Sequence, residues 1–120
     1  GALSVIGDNP KNDIYYSTGG APEGVVVAAA LSCFGGQIQG KLVLNEEEKL
    51  RAKKLGITDF EKKYNIDDMV KGDVIFCATG VTSGDLANGV KDLGNEFEVN
   101  SFILHKSQKI IKSVTNIFNK

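Results

Sequence analysis

The first part of the chain alternates apolar segments with polar, glycine-containing ones, a pattern typical of an α/β fold. An alanine-rich apolar run ends at Phe34 before two glycines, which predicts a helix over about 22–34. Residues 37–44 alternate polar and apolar side chains, which predicts a half-buried strand. Asn45 is a suitable helix cap, and the glutamates and then lysines behind it predict a surface helix that ends near Gly56.

Shorter segments are predicted between and before these elements. Residues 13–17 carry aromatic and β-branched side chains after a polar loop, which predicts a short strand. The apolar segment 2–6 suits either a short strand or the end of a helix, and residues 8–12 have the composition of a turn. A capping-box pattern at 58–61 predicts a short helix or turn to about residue 64, and 65–70 predicts a second amphipathic turn.

The last part of the chain changes character. The apolar run 73–78 predicts a buried parallel strand, followed by a loop at 79–85 and a short helical segment at 86–90. Segments 96–104 and 109–118 are rich in β-branched and aromatic residues and are joined by four polar residues. These two segments predict an antiparallel hairpin.

Together, the elements predict one α/β domain over residues 1–120, in which a layered mixed sheet is flanked by helices and ends in the antiparallel hairpin. The length of 120 residues fits one domain, and 42% hydrophobic with 24% charged residues fits a protein with a packed core. The chain opens on Gly1 and is apolar immediately afterwards, as if an element had begun upstream. We therefore expect it to be a piece of a longer protein.

Charge and cysteine usage narrow the function classes. The net charge of −1 provides no electrostatic reason to expect nucleic acid or an anionic membrane as a partner. No apolar run approaches the ~20 residues of a membrane span. Cys33 and Cys77 each lie in an apolar segment without metal-type spacing, so we expect small buried thiols in a reducing compartment, the cytoplasm.

The most informative stretch is Thr18–Gly24, which connects the predicted strand 13–17 to the predicted helix. Its glycines allow a tight bend and close approach of a ligand, and Pro22 suits a first helical turn. The backbone donors of a helix N-terminus attract anions. Glu23 adds a carboxylate beside them, which would repel a bare phosphate but would hold a cation that bridges to one.

The spacing of this stretch leaves two interpretations open. In one, the stretch binds phosphate together with a divalent metal ion. In the other, Glu23 only complements the helix dipole and the glycines only form a turn. The glycines match neither the P-loop nor the dinucleotide-binding pattern, so spacing does not decide between them.

Other polar groups have ordinary structural interpretations. The acids 46–48 fit the start of a solvated helix, and Asp67 and Asp68 are adjacent, so they face different directions on a helix. The loop that contains Thr79 and Thr82 follows a strand and could share a ligand site with the first turn, although turn chemistry also explains it. His105 lies at the hairpin turn and is interpreted as a surface residue.

The block Gly-Gly-Ala-Pro-Glu-Gly at 19–24, with the apolar run 25–31 behind it, resembles the bacterial class II fructose-1,6-bisphosphatases. The resemblance continues through residues 36–42, 52–57 and 74–86, so it spans most of the chain. It implies the C-terminal part of a metal-dependent, lithium-sensitive sugar phosphatase fold.

The resemblance also implies a function and a site. Enzymes of this family hydrolyse fructose 1,6-bisphosphate to fructose 6-phosphate and phosphate in gluconeogenesis, with Mn²⁺ or Mg²⁺ as cofactor. The motif match implies that Glu23 is a metal ligand and that Gly20 binds substrate through its backbone, with Gly19 and Ala21 as further substrate-binding candidates. No catalytic residue is expected in this segment.

This chain lacks parts of the family's site. The Asp-Gly-Asp triplet of the sugar-phosphate loop does not occur in it, and the other metal-binding acids and the catalytic threonine belong to preceding sequence. We therefore expect the missing N-terminal part of the enzyme as a partner, possible assembly into a homo-oligomer, and no activity of the segment alone. The competing hypotheses are a non-catalytic anion- or nucleotide-binding α/β module and a structural or oligomerisation domain.

Overall fold

The computed structural model describes residues 2–6 and 10–120, and it divides the chain into two compact units, Gly1–Lys71 and Gly72–Lys120. Residues Ala2–Val5 form a 3-10 helix, which favours the helical alternative predicted for this segment. The turn predicted at 8–12 lies partly outside the described residues. The expectation of a single domain stays a prediction.

The main helix of the first unit is α1, Ala21–Phe34, as predicted. Pro22 occupies its first turn, where its fixed φ and missing N–H cost nothing. The helix ends because Gly35 adopts a left-handed φ of 71° and its N–H donates to the carbonyl of Leu31. The helix contributes the buried residues Ala28, Ala30 and Leu31 to the core of this unit.

The other elements of the first unit are short: β1 (Gln39–Lys41), α2 (Glu46–Lys54), β2 (Lys63–Asn65) and α3 (Ile66–Met69). Strands β1 and β2 pair antiparallel, with Gly40 opposite Tyr64. The predicted strand over 37–44 and the predicted amphipathic turn at 65–70 are confirmed, the strand in a shorter form. Of the short helix or turn predicted from residue 58 to about residue 64, the turn is found at 60–61, where Asp59 accepts a hydrogen bond from the N–H of Glu61, and the end of the segment belongs to β2.

The strand predicted over 13–17 is wrong. These residues are not paired with any strand in the described part of the chain, and Ile14 and Tyr16 are 84% and 92% exposed. A strand needs a neighbour for its backbone hydrogen bonds. The composition of the segment predicted the extended conformation, but composition does not supply the neighbour.

The second unit is built on a four-stranded sheet: β3 (Ile75–Thr79), β4 (Lys91–Asp92), β5 (Glu96–His105) and β6 (Ile110–Asn119). Strand β5 is central, since β6 pairs along its whole length while β3 and β4 pair with its two ends on the other edge. The predicted hairpin of β5 and β6 is confirmed. Its turn includes Lys109, whose φ is 52°.

The parallel pairing predicted for the run 73–78 is wrong, and so is the mixed sheet. Every strand pair in the described residues is antiparallel, and Ile75 is 67% exposed. A parallel pair needs a long crossover connection, usually a helix.

The segment 86–90, predicted as helical, contains no helix and leads into β4 instead. The α/β class itself is confirmed. Among the described helices, none is long and apolar enough to cross a bilayer.

Asn100 on β5 is buried, and it joins the loop at 80–90 to the sheet. Its side-chain oxygen accepts a hydrogen bond from the N–H of Asn88 at 3.0 Å, and its carbonyl accepts one from the N–H of Gly80 at 3.0 Å. Its amide nitrogen donates to the hydroxyls of Ser113 and Thr115 on β6, at 2.8 and 3.2 Å. One side chain therefore satisfies polar groups on both sides of β5.

We predict that Asn100→Ala lowers the free energy of unfolding of the full-length protein by about 1–3 kcal/mol, the cost of leaving buried polar groups unpaired. Urea unfolding measures this. Asn116→Ala is the matched control because Asn116 is exposed on β6. If the two substitutions changed the free energy of unfolding equally, the role assigned to Asn100 would be contradicted.

Candidate functional site

The predicted site residues lie together at the start of α1. Gly20 is the N-cap, with φ −66° and ψ 144°, and its carbonyl accepts the first helical hydrogen bond from the N–H of Gly24 at 3.1 Å. Gly19, Gly20, Ala21 and Glu23 are all exposed. The glycine turn, defined here as residues 19–23, thus presents its backbone to solvent.

The first-turn amides of this helix have no acceptor from the cap. The N–H groups at a helix start lack intrahelical acceptors, and Gly20 has no side chain that could accept from them. Pro22 has no N–H, so the available donors of the first turn are those of Ala21 and Glu23. Uncapped amides at the positive end of a helix dipole are suited to an anion.

The carboxylate of Glu23 lies against Gly20. A Cβ atom placed on Gly20 would overlap Oε2 of Glu23 and would come within 3.1 Å of its Cδ. The same test at Gly19 finds no atom within 4 Å. Among the described residues, Glu23 has no ion-pair partner and no hydrogen-bond donor to its carboxylate.

The other helices of this unit treat the equivalent acid differently. Glu48 of α2 and Asp68 of α3 stand at the same third helical position as Glu23, and each accepts a hydrogen bond from its N-cap amide, at 2.8 and 2.9 Å. These two acids are occupied as caps. Glu23 is not, which leaves its oxygens available to a ligand.

The acidic groups elsewhere do not form a metal centre. No cluster of three or more His, Cys, Asp or Glu side chains exists in the described part of the chain. Of the acids at 46–48, Glu46 pairs with Lys49 at 2.7 Å, and that contact lowers its pKa. Lys62 lies 3.2 Å from Asp68, so this acid is also paired.

A cleft of about 420 Å³ lies in the first unit and is lined partly by Asp13–Tyr15 and by Val27 and Leu31 of α1. None of its described lining residues belongs to the glycine turn. The segment 13–15, predicted as a strand, therefore lines this cleft, and the candidate site is the exposed turn instead.

The second loop, at 79–90, belongs to the other unit. Thr79 lies 2.8 Å from Ser101, hydroxyl to hydroxyl, across the β3–β5 pair. Within the loop, Ser83 accepts a hydrogen bond from the N–H of Gly89 at 2.9 Å. These contacts fit the turn interpretation, and a ligand site shared with the glycine turn stays a prediction.

One cluster was missed by sequence reasoning. Asp73, His105 and Ser107 meet where β3 starts and β5 ends: Nε2 of His105 lies 2.8 Å from the Asp73 carboxylate, and the Ser107 hydroxyl donates to it at 2.6 Å. Only the antiparallel pairing of β3 with β5 brings them together, so no local signal could have shown it. His105 is thus a partly buried structural residue.

This cluster is not a catalytic triad. In a triad, the carboxylate and the hydroxyl bind opposite nitrogens of the histidine ring. Here both approach Nε2 of His105, and the Ser107 hydroxyl gives its proton to the Asp73 carboxylate. Ser107 is therefore not activated as a nucleophile.

Comparison with known proteins gives a consistent family match. Over residues 1–118 the chain matches the family described as bacterial fructose-1,6-bisphosphatase, glpX-encoded. It is 36% identical to fructose-1,6-bisphosphatase 2 class 2 of Escherichia coli (strain K12), over 81% of this chain and 34% of that protein. It is 33% identical to D-fructose 1,6-bisphosphatase class 2/sedoheptulose 1,7-bisphosphatase of Synechococcus sp. (strain JA-3-3Ab), over 85% of this chain and 33% of that protein. The chain spans about a third of the length of these curated relatives.

The Asp73 cluster leads to a prediction about pH. The Ser107 hydroxyl, followed by His105, holds the pKa of Asp73 well below its ordinary value of 3.8. Because the folded state favours the carboxylate, its contribution to stability is fully present above about pH 4. It is lost as the pH falls through the depressed pKa.

An NMR titration of the Asp73 carboxyl carbon in the full-length protein should give a midpoint below 3.8, and Ser107→Ala should raise it. Ser101→Ala is the control because Ser101 contacts Thr79 instead. A midpoint at or above 3.8 in the unmodified protein, or no response to Ser107→Ala, would contradict this account.

Proposed function

Because the chain belongs to the family of bacterial, glpX-encoded fructose-1,6-bisphosphatases, we propose that it forms one wall of the active site of a metal-dependent sugar bisphosphatase. This membership confirms the resemblance seen in the sequence. The complete enzyme would hydrolyse fructose 1,6-bisphosphate to fructose 6-phosphate and phosphate in gluconeogenesis. The chain would be its C-terminal part and would be inactive without the rest.

The observation that carries the proposal is the glycine turn. An exposed carboxylate that caps nothing lies against Gly20, beside first-turn amides that have no cap acceptor. The carboxylate of Glu23 suits a cation, and the amides suit an anion. A phosphate group bridged by a divalent cation satisfies both at once.

The residues present fit such a cation as one ligand of several. Mg²⁺ and Mn²⁺ prefer oxygen donors, and Glu23 supplies a carboxylate that is exposed. The described residues contain no group of three or more His, Cys, Asp or Glu side chains that could hold a metal ion by themselves. The remaining ligands would come from the part of the enzyme that this chain does not cover.

In this proposal, the turn binds and orients. The N–H groups of Ala21 and Glu23 and the backbone of Gly20 would contact phosphate oxygens of the substrate, with Gly19 leaving space beside them. Glu23 would hold the cation. A bound divalent cation supplies charge neutralisation at the phosphoryl group and activates water for attack. This segment contributes positioning and charge, and no general acid or base.

The proposal extends to the range of substrates, the compartment and the assembly of the enzyme. One relative is named for both fructose 1,6-bisphosphate and sedoheptulose 1,7-bisphosphate, so the longer sugar is a second substrate to assay. Cys33 and Cys77 are not joined in a disulfide, which supports a reducing compartment such as the cytoplasm, although Cys77 is exposed and not buried as expected. A homo-oligomer stays a prediction. A non-catalytic anion-binding module is disfavoured because the Glu23 carboxylate would repel an anion that arrives without a cation.

We predict that Glu23→Gln in the full-length enzyme lowers kcat/KM for Mn²⁺-dependent phosphate release by about 100-fold or more, roughly 3 kcal/mol of transition-state stabilisation. Glu47→Gln is the matched control, since Glu47 is also an exposed acid in the first turn of a helix. Full activity of Glu23→Gln on both sugar bisphosphates would overturn the metal-ligand assignment.

A further inference from the structure

Gly20 has a role beyond offering its backbone to substrate. We infer that Gly20 is a positioning residue: the absence of a side chain at this position is what allows the Glu23 carboxylate to lie over the glycine turn. This inference rests on the proposed function only in taking the ligand of that carboxylate to be a divalent cation. The contact itself is a property of the fold.

The backbone does not require glycine at this position. Gly20 has φ −66° and ψ 144°, an extended conformation that any L-residue adopts without strain. Gly35 and Gly56 are different, because their φ values of 71° and 82° lie in the left-handed region that favours glycine. Backbone conformation therefore does not explain a glycine at this position, and the space around its Cα is the remaining feature to consider.

The space next to Gly20 is occupied by the Glu23 carboxylate. A Cβ on Gly20 would overlap Oε2 of Glu23, with Cδ at 3.1 Å and Oε1 at 3.7 Å. Because these atoms are the flexible end of an exposed side chain, the carboxylate would rotate away from the turn at little cost in stability. The requirement is specific within this stretch, since a Cβ on Gly19 or Gly24 meets no atom within 4 Å. Of these three glycines, only Gly20 makes room for the acid.

The side chains usually found at an N-cap would disturb the glycine turn in two ways. Serine, threonine, aspartate and asparagine are strongly preferred at an N-cap because their oxygens accept from first-turn amides. At Gly20 such a side chain would occupy the space of the Glu23 carboxylate and would also use the amides. Glycine keeps the acid in place and the amide donors free at the same time.

The test is Mn²⁺ binding to the full-length enzyme without substrate, followed by electron paramagnetic resonance of free Mn²⁺. Gly20→Ala should weaken Mn²⁺ affinity about 10- to 100-fold, the range found when an outer group that orients a metal ligand is changed. Gly24→Ala is the matched control, since a Cβ there also meets no atom within 4 Å, and it should leave the affinity unchanged. Circular dichroism and the Tm of each variant show whether it has folded.

A double-mutant cycle identifies the route of the effect. If Gly20 acts through Glu23, then adding Gly20→Ala to Glu23→Gln should weaken Mn²⁺ binding no further. A folded Gly20→Ala variant with unchanged Mn²⁺ affinity and only a raised KM for fructose 1,6-bisphosphate would overturn the inference. That result would leave the proposed function standing, because Glu23→Gln would still weaken Mn²⁺ binding. If Glu23→Gln changes neither Mn²⁺ affinity nor activity, both the inference and the proposed function fail.

Discussion

The first turn of a helix carries N–H groups without intrahelical acceptors, and the function proposed for this chain depends on how α1 leaves them. In α2, Asn45 and Glu48 satisfy each other's backbone amides, so neither that acid nor the cap side chain is left for a ligand. Helix α1 has the same acid at the same position, but a glycine at the cap. Two backbone donors and one carboxylate therefore remain unpaired and adjacent. The unpaired groups destabilise the isolated helix end, but they can bind a ligand that carries both a negative and a positive charge.

The same constraint is met in the second unit by side chains from distant sequence. The loop at 80–90 has no regular pairing, so the N–H of Asn88 is satisfied by the Asn100 side chain. The N–H groups of Val74 and Ser107 are both satisfied by the carboxylate of Asp73. Polar side chains at strand ends here complete the backbone hydrogen bonding. For this reason the Ser–His–Asp arrangement in this unit is a structural feature.

Sequence reasoning was accurate where the deciding interactions are local. The helix stop at Gly35 and the cap at Asn45 involve residues within a few positions of one another, and the hairpin of β5 and β6 needs only a short turn. Sequence reasoning was wrong where the result depends on which distant strand pairs with a segment. The segment 13–17 has strand composition but no neighbour in the described chain, and the run 73–78 is as apolar as a parallel strand although it pairs antiparallel. The Asp73 cluster spans residues 73–107, which no periodicity reveals.

The candidate site combines both kinds of information. The part that lies in one turn, Gly20 with Glu23, is encoded locally and forms in a chain that spans about a third of its relatives. The coordination of a hard divalent cation is different, because it needs several oxygen donors and one carboxylate does not retain the ion tightly. In the proposed site, the turn would set where phosphate and cation meet, whereas the affinity for the cation would depend on donors from elsewhere. A preformed turn is useful to such an enzyme because it reduces the ordering required when the other ligands arrive.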